Sequence, residues 1–300
     1  MAITKLNQLF TELKNKAKKR LVVAYANDAH TIEAVNKAVD MGIINATLVG
    51  DIDTIKSICA KDNIDSAKFE LVQEADPQQA AHKSCELINE GKGDFIMKGL
   101  VTTEQYMRAL LNKENGLMLP KSVLSHVTVL ESPAYHKLLV FGDVAIIPAP
   151  EMPEKIAITN YLIKTAQSLG IEKPKVAILA ASEQISLKMQ ATVDAAVLSK
   201  MSDRGQFKNA YIDGPLALDV AIDKESAEIK KLGGHVAGDA DCLVFPNIES
   251  GNIFYKTNTK LAGGVLGAMV LGARVPAVLS SRGDSVETKL ISIGLAALQA

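Results

Sequence analysis

Apolar positions recur along the chain at two periods. Ile3, Leu6, Phe10, Leu13 and Ala17 share one helical face, so the first segment is predicted as an amphipathic helix. The basic run Lys16–Arg20 suits the C-terminus of that helix, where cations meet the dipole favourably. It reads as a solvated helix end or a nucleotide-binding patch. LVVAYA then forms a short continuous apolar run, and ATLVG, FELVQ and DFIMKG repeat the pattern. Helical spacing separates these runs over 31–41, 53–60, 77–89 and 102–111. Strands apolar on both faces, alternating with helices, predict a parallel sheet covered on both sides.

The pattern changes near residue 124. LSHVTVLE (124–131) alternates as a strand does, and LLVFGDVAIIP (138–148) reads as two short strands around Gly142-Asp143. Adjacent strands in place of βα alternation predict a crossover into a second domain near 131–134. The βα pattern then resumes with a helix over 153–169, the strand KVAILAA and a helix over 188–201. Tyr211–Pro215 is expected to end a strand, with Pro215 in the first turn of the next helix. ADCLVFP is a strand ending at Pro246. Residues 249–272 are predicted helical, including the glycine-rich apolar stretch 261–271. VPAVLS is the last strand, and a helix follows Ser285. This final βα unit is expected to return to the first sheet. The expected fold is therefore α/β: two βα domains with mainly parallel sheets and an interdomain cleft. The first, discontinuous domain covers 1–132 plus 268–300, and the second covers 133–267.

Composition narrows the function classes. Three hundred residues suit two domains, and 48% hydrophobic residues suffice for packed cores. With 33 basic against 34 acidic residues, a general polyanion binder is disfavoured. The charged N-terminus lacks a secretory pattern, and no apolar run has bilayer length. Cys59, Cys85 and Cys242 form neither a metal-spaced cluster nor a disulfide framework. The expectation is a soluble, cytoplasmic protein.

Candidate chemistry concentrates where strands meet helices. Ser281-Arg282-Gly283 joins an apolar strand to a helix start, placing a hydroxyl and a guanidinium beside an anion-friendly N-terminus. Asp284 and Glu287 match a capping box, so Asp284 is a cap or a base. Lys98 and Gly99 lie at another strand end, followed by Thr102 and Thr103. One threonine caps the helix; the other, with Lys98, is a candidate for phosphate or a pantetheine amide. Asn252, Lys256 and Lys260 share a helical face. His126 is either a structural histidine or a base at the cleft edge. Asp239 and Asp241 either bind magnesium or flank a strand. Neither GxGxxG nor GxSxG occurs where its chemistry needs it, and no metal-ligand spacing is convincing.

Six blocks together carry a family resemblance: MKGLVTT (97–103), LSHVTVLE (124–131), LSKMSDRGQ (198–206), DGPLALDVAI (213–222), FPNIESGNIFYK (245–256) and SRGDSVETK (281–289). They resemble the phosphate acetyltransferase/phosphate butyryltransferase family across nearly the whole chain, with the first two and LSKMSDRGQ closer to the butyryl branch. The resemblance implies a fold like that of isocitrate and isopropylmalate dehydrogenases. It also implies reversible conversion of acyl-CoA and phosphate to acyl phosphate and CoA, with those two as substrates and no tightly bound cofactor or metal. Homodimers or assemblies of dimers, and an acyl kinase that consumes the acyl phosphate, are implied as partners. By resemblance, Ser281 lies at the reacting centre and Arg282 contacts phosphate, with Gly283 beside them. The family's acidic position six residues after that arginine holds Thr288 here, which leaves Glu287, Asp284 or His126 as possible bases, or none. A phosphate acetyltransferase is the alternative within this chemistry. A metal- and NAD-dependent dehydrogenase is the alternative of another class.

Overall fold

The computed structural model describes residues 2–280 and 283–300, so the Ser281 and Arg282 assignments lie outside the described residues. In chain order the elements begin α1 (Gln8–Lys14), β1 (Lys19–Ala24), α2 (Ala29–Asp40), β2 (Ile44–Gly50), α3 (Ile52–Lys61), β3 (Glu70–Gln73), α4 (Pro77–Asn89), β4 (Phe95–Lys98) and α5 (Thr103–Leu110). There follow β5 (Ser125–Glu131), β6 (Leu139–Gly142), α6 (Met152–Ser168), β7 (Lys175–Leu179), α7 (Gln190–Asp203), β8 (Tyr211–Leu216), α8 (Leu218–Ile222) and α9 (Lys224–Ile229). The chain closes with β9 (Cys242–Val244), α10 (Ile248–Lys260), β10 (Val265–Leu271), β11 (Ala277–Val278) and α11 (Val286–Gln299). No described helix is long and apolar enough to cross a membrane.

Two compact units result. The first comprises Leu6–Leu124 and Gly267–Ala300; the second comprises Ser125–Leu266 with the N-terminal residues up to Lys5. In the first, the strand order is β3-β2-β1-β4-β11-β10. All these neighbours pair in parallel except β10 with β11. Helices α2 to α5 open on Asp28, Asp51, Asp76 and Thr102, each accepting from the backbone N–H three residues on. The chain steps outward from β1 to β2 to β3, then returns to lay β4 on the other side of β1. That reversal is a topological switch point, the place where open α/β sheets form ligand crevices at their carboxyl edge.

In the second unit the order is β5-β6-β9-β7-β8. Here β5 and β6 pair antiparallel and the remaining neighbours pair in parallel. The chain moves from β7 out to β8, then inserts β9 between β6 and β7. The order thus reverses between β7 and β9.

Several expectations are corrected. The first helix stops at Lys14, and Lys19 and Arg20 already belong to β1. Arg20 is not a helix end or a nucleotide patch: its Nη2 meets Asp94 Oδ1 at 2.6 Å and its Nη1 donates to the Gly91 carbonyl at 2.6 Å. Gly142-Asp143 does not separate two strands, because no strand follows it. The buried Asp143 carboxylate instead accepts from Ser125 Oγ, His126 N, Ala145 N and Ile146 N, which organises the loop after β6. Pro215 lies inside β8 rather than in a helix. Strand β8 ends its sheet order and its pairing with β7 is irregular, a setting that tolerates a residue without an N–H.

The stretch 261–271 is not helical past Leu261. Gly263 adopts φ +67° and β10 follows, buried almost throughout. A strand buried on both faces shows no alternation, so a short apolar run does not distinguish it from a helix. Gly267 is required here: a β-carbon would stand 2.5 Å from the Ile291 side chain and 2.9 Å from Ser292 N. The unit boundaries fall at 124/125 and 266/267, whereas 132/133 and 267/268 were expected. Antiparallel pairing with β6 keeps β5 in the second unit.

Tyr106 on α5 is fully buried, and among the described residues its hydroxyl has no hydrogen-bond partner. Burial also holds its phenol well above the ordinary tyrosine range. Removing a buried, unpartnered polar atom relieves a desolvation cost. Tyr106→Phe is therefore expected to unfold at the same or a higher urea midpoint. A lower midpoint would show that the hydroxyl has a partner in solution. The Cys59, Cys85 and Cys242 thiols are free and buried. Burial pushes Cys85 up to about 12, which makes it a poor nucleophile.

Candidate active site

The carboxyl edge of the first unit brings three parallel strand ends together. Ala24 of β1 pairs with Lys98 of β4, and Met97 of β4 pairs with Val278 of β11. The chain leaves β4 through Gly99, whose N–H donates to Ala24 O at 2.9 Å; the next N–H, of Leu100, donates to Tyr25 O at 2.8 Å. A β-carbon on Gly99 would collide with the Tyr25 carbonyl, so the close approach needs glycine.

Two lysines are buried at this edge. Lys98 is 3% exposed and its Nζ donates to Gly99 O at 3.1 Å. Lys289, on the first turns of α11, is 4% exposed and its Nζ donates to Ser280 Oγ at 3.3 Å. Ammonium groups are costly to bury unless partnered. Lys98 ends β4, and the Ser280 hydroxyl that Lys289 meets from α11 lies just beyond β11. The N-termini of α5 and α11 lie after the same two strands and add partial positive charge of the same sign.

Thr102 caps α5 through a capping box with Gln105, while Thr103 is the first helical residue and is exposed. The threonine pair therefore divides as expected into a cap and an uncommitted side chain. At α11 the cap is Ser285, not Asp284: Ser285 Oγ accepts from Thr288 N at 3.1 Å. The capping-box reading of Asp284 is thus corrected by one residue. Asp284 is half-buried, while Gly283 and Glu287 are exposed. Thr288, at the position where the resemblance places an acid, is engaged with the Ser285 hydroxyl at 3.1 Å.

The other expected site residues belong to the second unit. Asn252 Nδ2 donates to Val144 O at 3.1 Å, which ties α10 to the loop after β6, and Lys256 is exposed on that helix. His126 is 5% exposed; its Nδ1 lies 3.3 Å from Thr128 Oγ1, and its ring meets the edge of Tyr255. Asp239 and Asp241 flank the start of β9 and are ion-paired. Lys137 meets them at 2.9 Å and 2.6 Å, and Lys175 also pairs with Asp239. Burial raises the Asp239 carboxyl, but the hydrogen bonds from Lys175 and Lys137 outweigh it and hold the group at about 2. Among the described residues, no group of three or more His, Cys, Asp or Glu side chains is arranged to hold a metal.

Sequence reasoning missed two features. One is Lys289, whose burial is decided by packing rather than by local pattern. The other is an apolar cavity of about 480 Å³ in the second unit, lined on α10 by Ser250, Ile253, Phe254 and Thr257. Those positions follow i, i+3, i+4, i+7, the face of α10 next to the one carrying Asn252 and Lys256.

Comparison with known proteins bears on this arrangement. A family model described as "Phosphate acetyl/butaryl transferase" matches residues 5–83 and 75–297. The chain is 48% identical to a phosphate butyryltransferase of Clostridium acetobutylicum, over 99% of each chain. It is 37% identical to a phosphate acetyltransferase of Thermotoga maritima, over 98% of this chain and 99% of the other. Among solved structures, a branched-chain phosphotransacylase from Enterococcus faecalis V583 superposes with a TM-score of 0.81 at 29% identity. It covers 94% of this chain and 98% of that one.

Proposed function

Because the chain belongs to the phosphate acetyltransferase/phosphate butyryltransferase family, we propose that it transfers a butyryl or similar short or branched acyl group reversibly between coenzyme A and inorganic phosphate. The observation that carries this reading is the 48% identity to a phosphate butyryltransferase over essentially the full length of both chains. The 37% identity to a phosphate acetyltransferase supports acetyl transfer as a second reading.

In the direction that consumes acyl phosphate, the CoA thiol gives its proton to solvent, the thiolate sulfur attacks the carbonyl carbon, the C–O bond to phosphate breaks, and phosphate leaves with its electron pair. A free thiol ionises near pH 8.5, so only a few per cent is thiolate near neutrality. The buried ammonium groups of Lys98 and Lys289 favour that anion, so no dedicated carboxylate is needed to form it. Arg282 holds the departing phosphate with the N-terminus of α11, and Gly283 leaves the backbone there accessible. Ser281 donates to the carbonyl oxygen as negative charge develops on it. Lys98 and Thr103 bind phosphate or pantetheine oxygens, while Thr102 positions α5. Holding both substrates together supplies much of the acceleration without a covalent intermediate. Asn252 and Lys256 are further contacts for CoA. A cytoplasmic homodimer or assembly of dimers, coupled to an acyl kinase, belongs to the same reading.

The test is release of free thiol from acetyl-, butyryl- and isobutyryl-CoA with and without phosphate. Phosphate-dependent release, faster for the four-carbon groups, is expected. Absence of phosphate-dependent release from all three would reject the reading.

A further inference from the structure

We propose that the outer face of α7, with Ile185 and Leu187 of the loop before it, is the surface on which a second copy of this chain docks. The two α7 helices then lie antiparallel across a twofold axis level with residue 195. This inference deepens the homodimer reading above, lies wholly within the second unit and is independent of the acyl-transfer chemistry.

The residues of α7 divide between two faces. Thr192, Asp194, Ala195 and Leu198 are buried. Asp194 meets Lys155 of α6 at 2.5 Å and accepts from Gln190 Nε2 at 2.8 Å, and Ser199 Oγ donates to Gly214 O of β8 at 3.0 Å. Those contacts commit the inner face. With about 3.6 residues per turn, the outer face carries Met189, Val193, Ala196 and Val197, with Met201 at its flank. Val197 is 41% exposed and the other four are half-buried. A helix that faces only solvent carries charged and polar residues on that side. Here the charges stand at the ends, Lys188 before the helix and Lys200, Asp203 and Arg204 at its C-terminal end.

The order of the outer residues selects the partner. Met189, Val193, Val197 and Met201 stand four residues apart and read the same in both directions. Rows of that spacing are the ridges by which helices most often pack on one another. A twofold interface needs a patch complementary to itself, because residue i meets j and j meets i. Antiparallel pairing about residue 195 sets Val193 against Val197 of the other copy, and Met189 against Met201 of the other copy. Ala196, beside the axis, lets the backbones approach. The same register brings Lys188 of one copy next to Asp203 of the other, a pairing of opposite charges. A partner of different sequence requires no such symmetry.

The adjoining loop enlarges the patch. Ile185 is 63% exposed and Leu187 89%, the most exposed large hydrophobic residue among those described. The loop is nonetheless held. Ser186 N donates to Thr192 Oγ1 at 2.9 Å, and that buried hydroxyl donates to Met189 O at 2.8 Å. Apolar side chains are thus presented from a fixed backbone beside the helix start, as at interaction surfaces. Stable interfaces bury roughly 800 Å² per partner, so α7 is the centre of the contact rather than all of it.

Sedimentation equilibrium and cross-linking of the full chain test this. The wild type is expected to be dimeric at micromolar concentration. Val197→Asp is expected to raise the dimer dissociation constant by roughly 10²-fold or more, because the twofold axis doubles the cost of each substitution. Its far-UV circular dichroism should be unchanged, since the position is exposed. Combining Val193→Asp with Val197→Lys should restore association, because each aspartate then faces a lysine of the other copy. A short bismaleimide should join two copies of the Ala196→Cys variant. It should not join copies of Glu225→Cys, exposed on α9, and the native cysteines are buried. A dimer that is unaffected by Val197→Asp and is not joined in the Ala196→Cys variant would overturn the proposal and leave the homodimer reading standing. A wild type that is monomeric at tens of micromolar would overturn both.

Discussion

Arg282→Ala is expected to lower kcat/KM for phosphate by roughly 10²–10³-fold, the usual cost of deleting a group that stabilises developing charge in a transition state. The KM for phosphate should rise, while the melting temperature should stay within about two degrees. An arginine offers a planar fork of donors that matches phosphate oxygens, and the next helix, α11, presents its N-terminus. The surroundings add to it. Lys289 is buried beside Ser280, and Lys98 is buried at the end of the adjoining strand β4. Lys98 from the end of β4 and Lys289 from the first turns of α11 are the buried basic groups nearest in the chain to this junction, and Arg282 is proposed as the bidentate member of an anion site. Arg282→Lys keeps the charge but loses the fork, so it should recover only part of the activity. Near-normal kinetics in the alanine variant would remove this turn from the mechanism.

Asp143→Ala should be the most damaging change for stability. The carboxylate is 2% exposed and accepts four hydrogen bonds, from Ser125 Oγ at 3.0 Å, His126 N at 3.1 Å, Ala145 N at 2.8 Å and Ile146 N at 3.0 Å. Alanine leaves those donors unsatisfied, and each buried orphan costs about 1–3 kcal/mol, not additively. A total loss of about 3 kcal/mol or more is expected, lowering the melting temperature by roughly 6–12 °C at about 2–4 °C per kcal/mol. Asp143→Asn keeps acceptor oxygen and should recover part of the loss. Its position links stability to the cavity: the same loop receives Asn252 of α10 through Val144. Thermal melts of both variants test this. A melting temperature within two degrees of wild type for Asp143→Ala would show that the network does not hold the loop.

Much of this fold was legible in the sequence, for identifiable reasons. Helix α4 runs Pro77–Asn89 as expected, because Asp76 caps it, Pro77 occupies the first turn and its apolar residues recur at helical spacing. The βα alternation fixed the parallel strands of both units. What failed were segments whose conformation is set by distant partners. Strand β10 is dictated by its contact with α11 at Gly267, and β8 continues through Pro215 because an irregular end strand tolerates it. At the candidate site, Lys98 and the capping threonine were legible as a strand-to-helix junction, whereas the Ser281 and Arg282 reading lies outside the described residues. Lys289 was not, since a lysine one turn into a helix looks solvated until the sheet buries it. The cavity was illegible because Leu179–Ala181 and Phe245–Pro246 are more than sixty residues apart and meet only through the order reversal between β7 and β9.

The central claim is direct, phosphate-dependent acyl transfer, and product stoichiometry tests it most directly. Butyryl-CoA is incubated with the protein and phosphate, with free thiol and hydroxylamine-trapped acyl phosphate measured in the same samples. One acyl phosphate formed for each thiol released, and neither without phosphate, is the predicted result. Thiol release that continues at the same rate in the absence of phosphate, with no acyl phosphate formed, would contradict it.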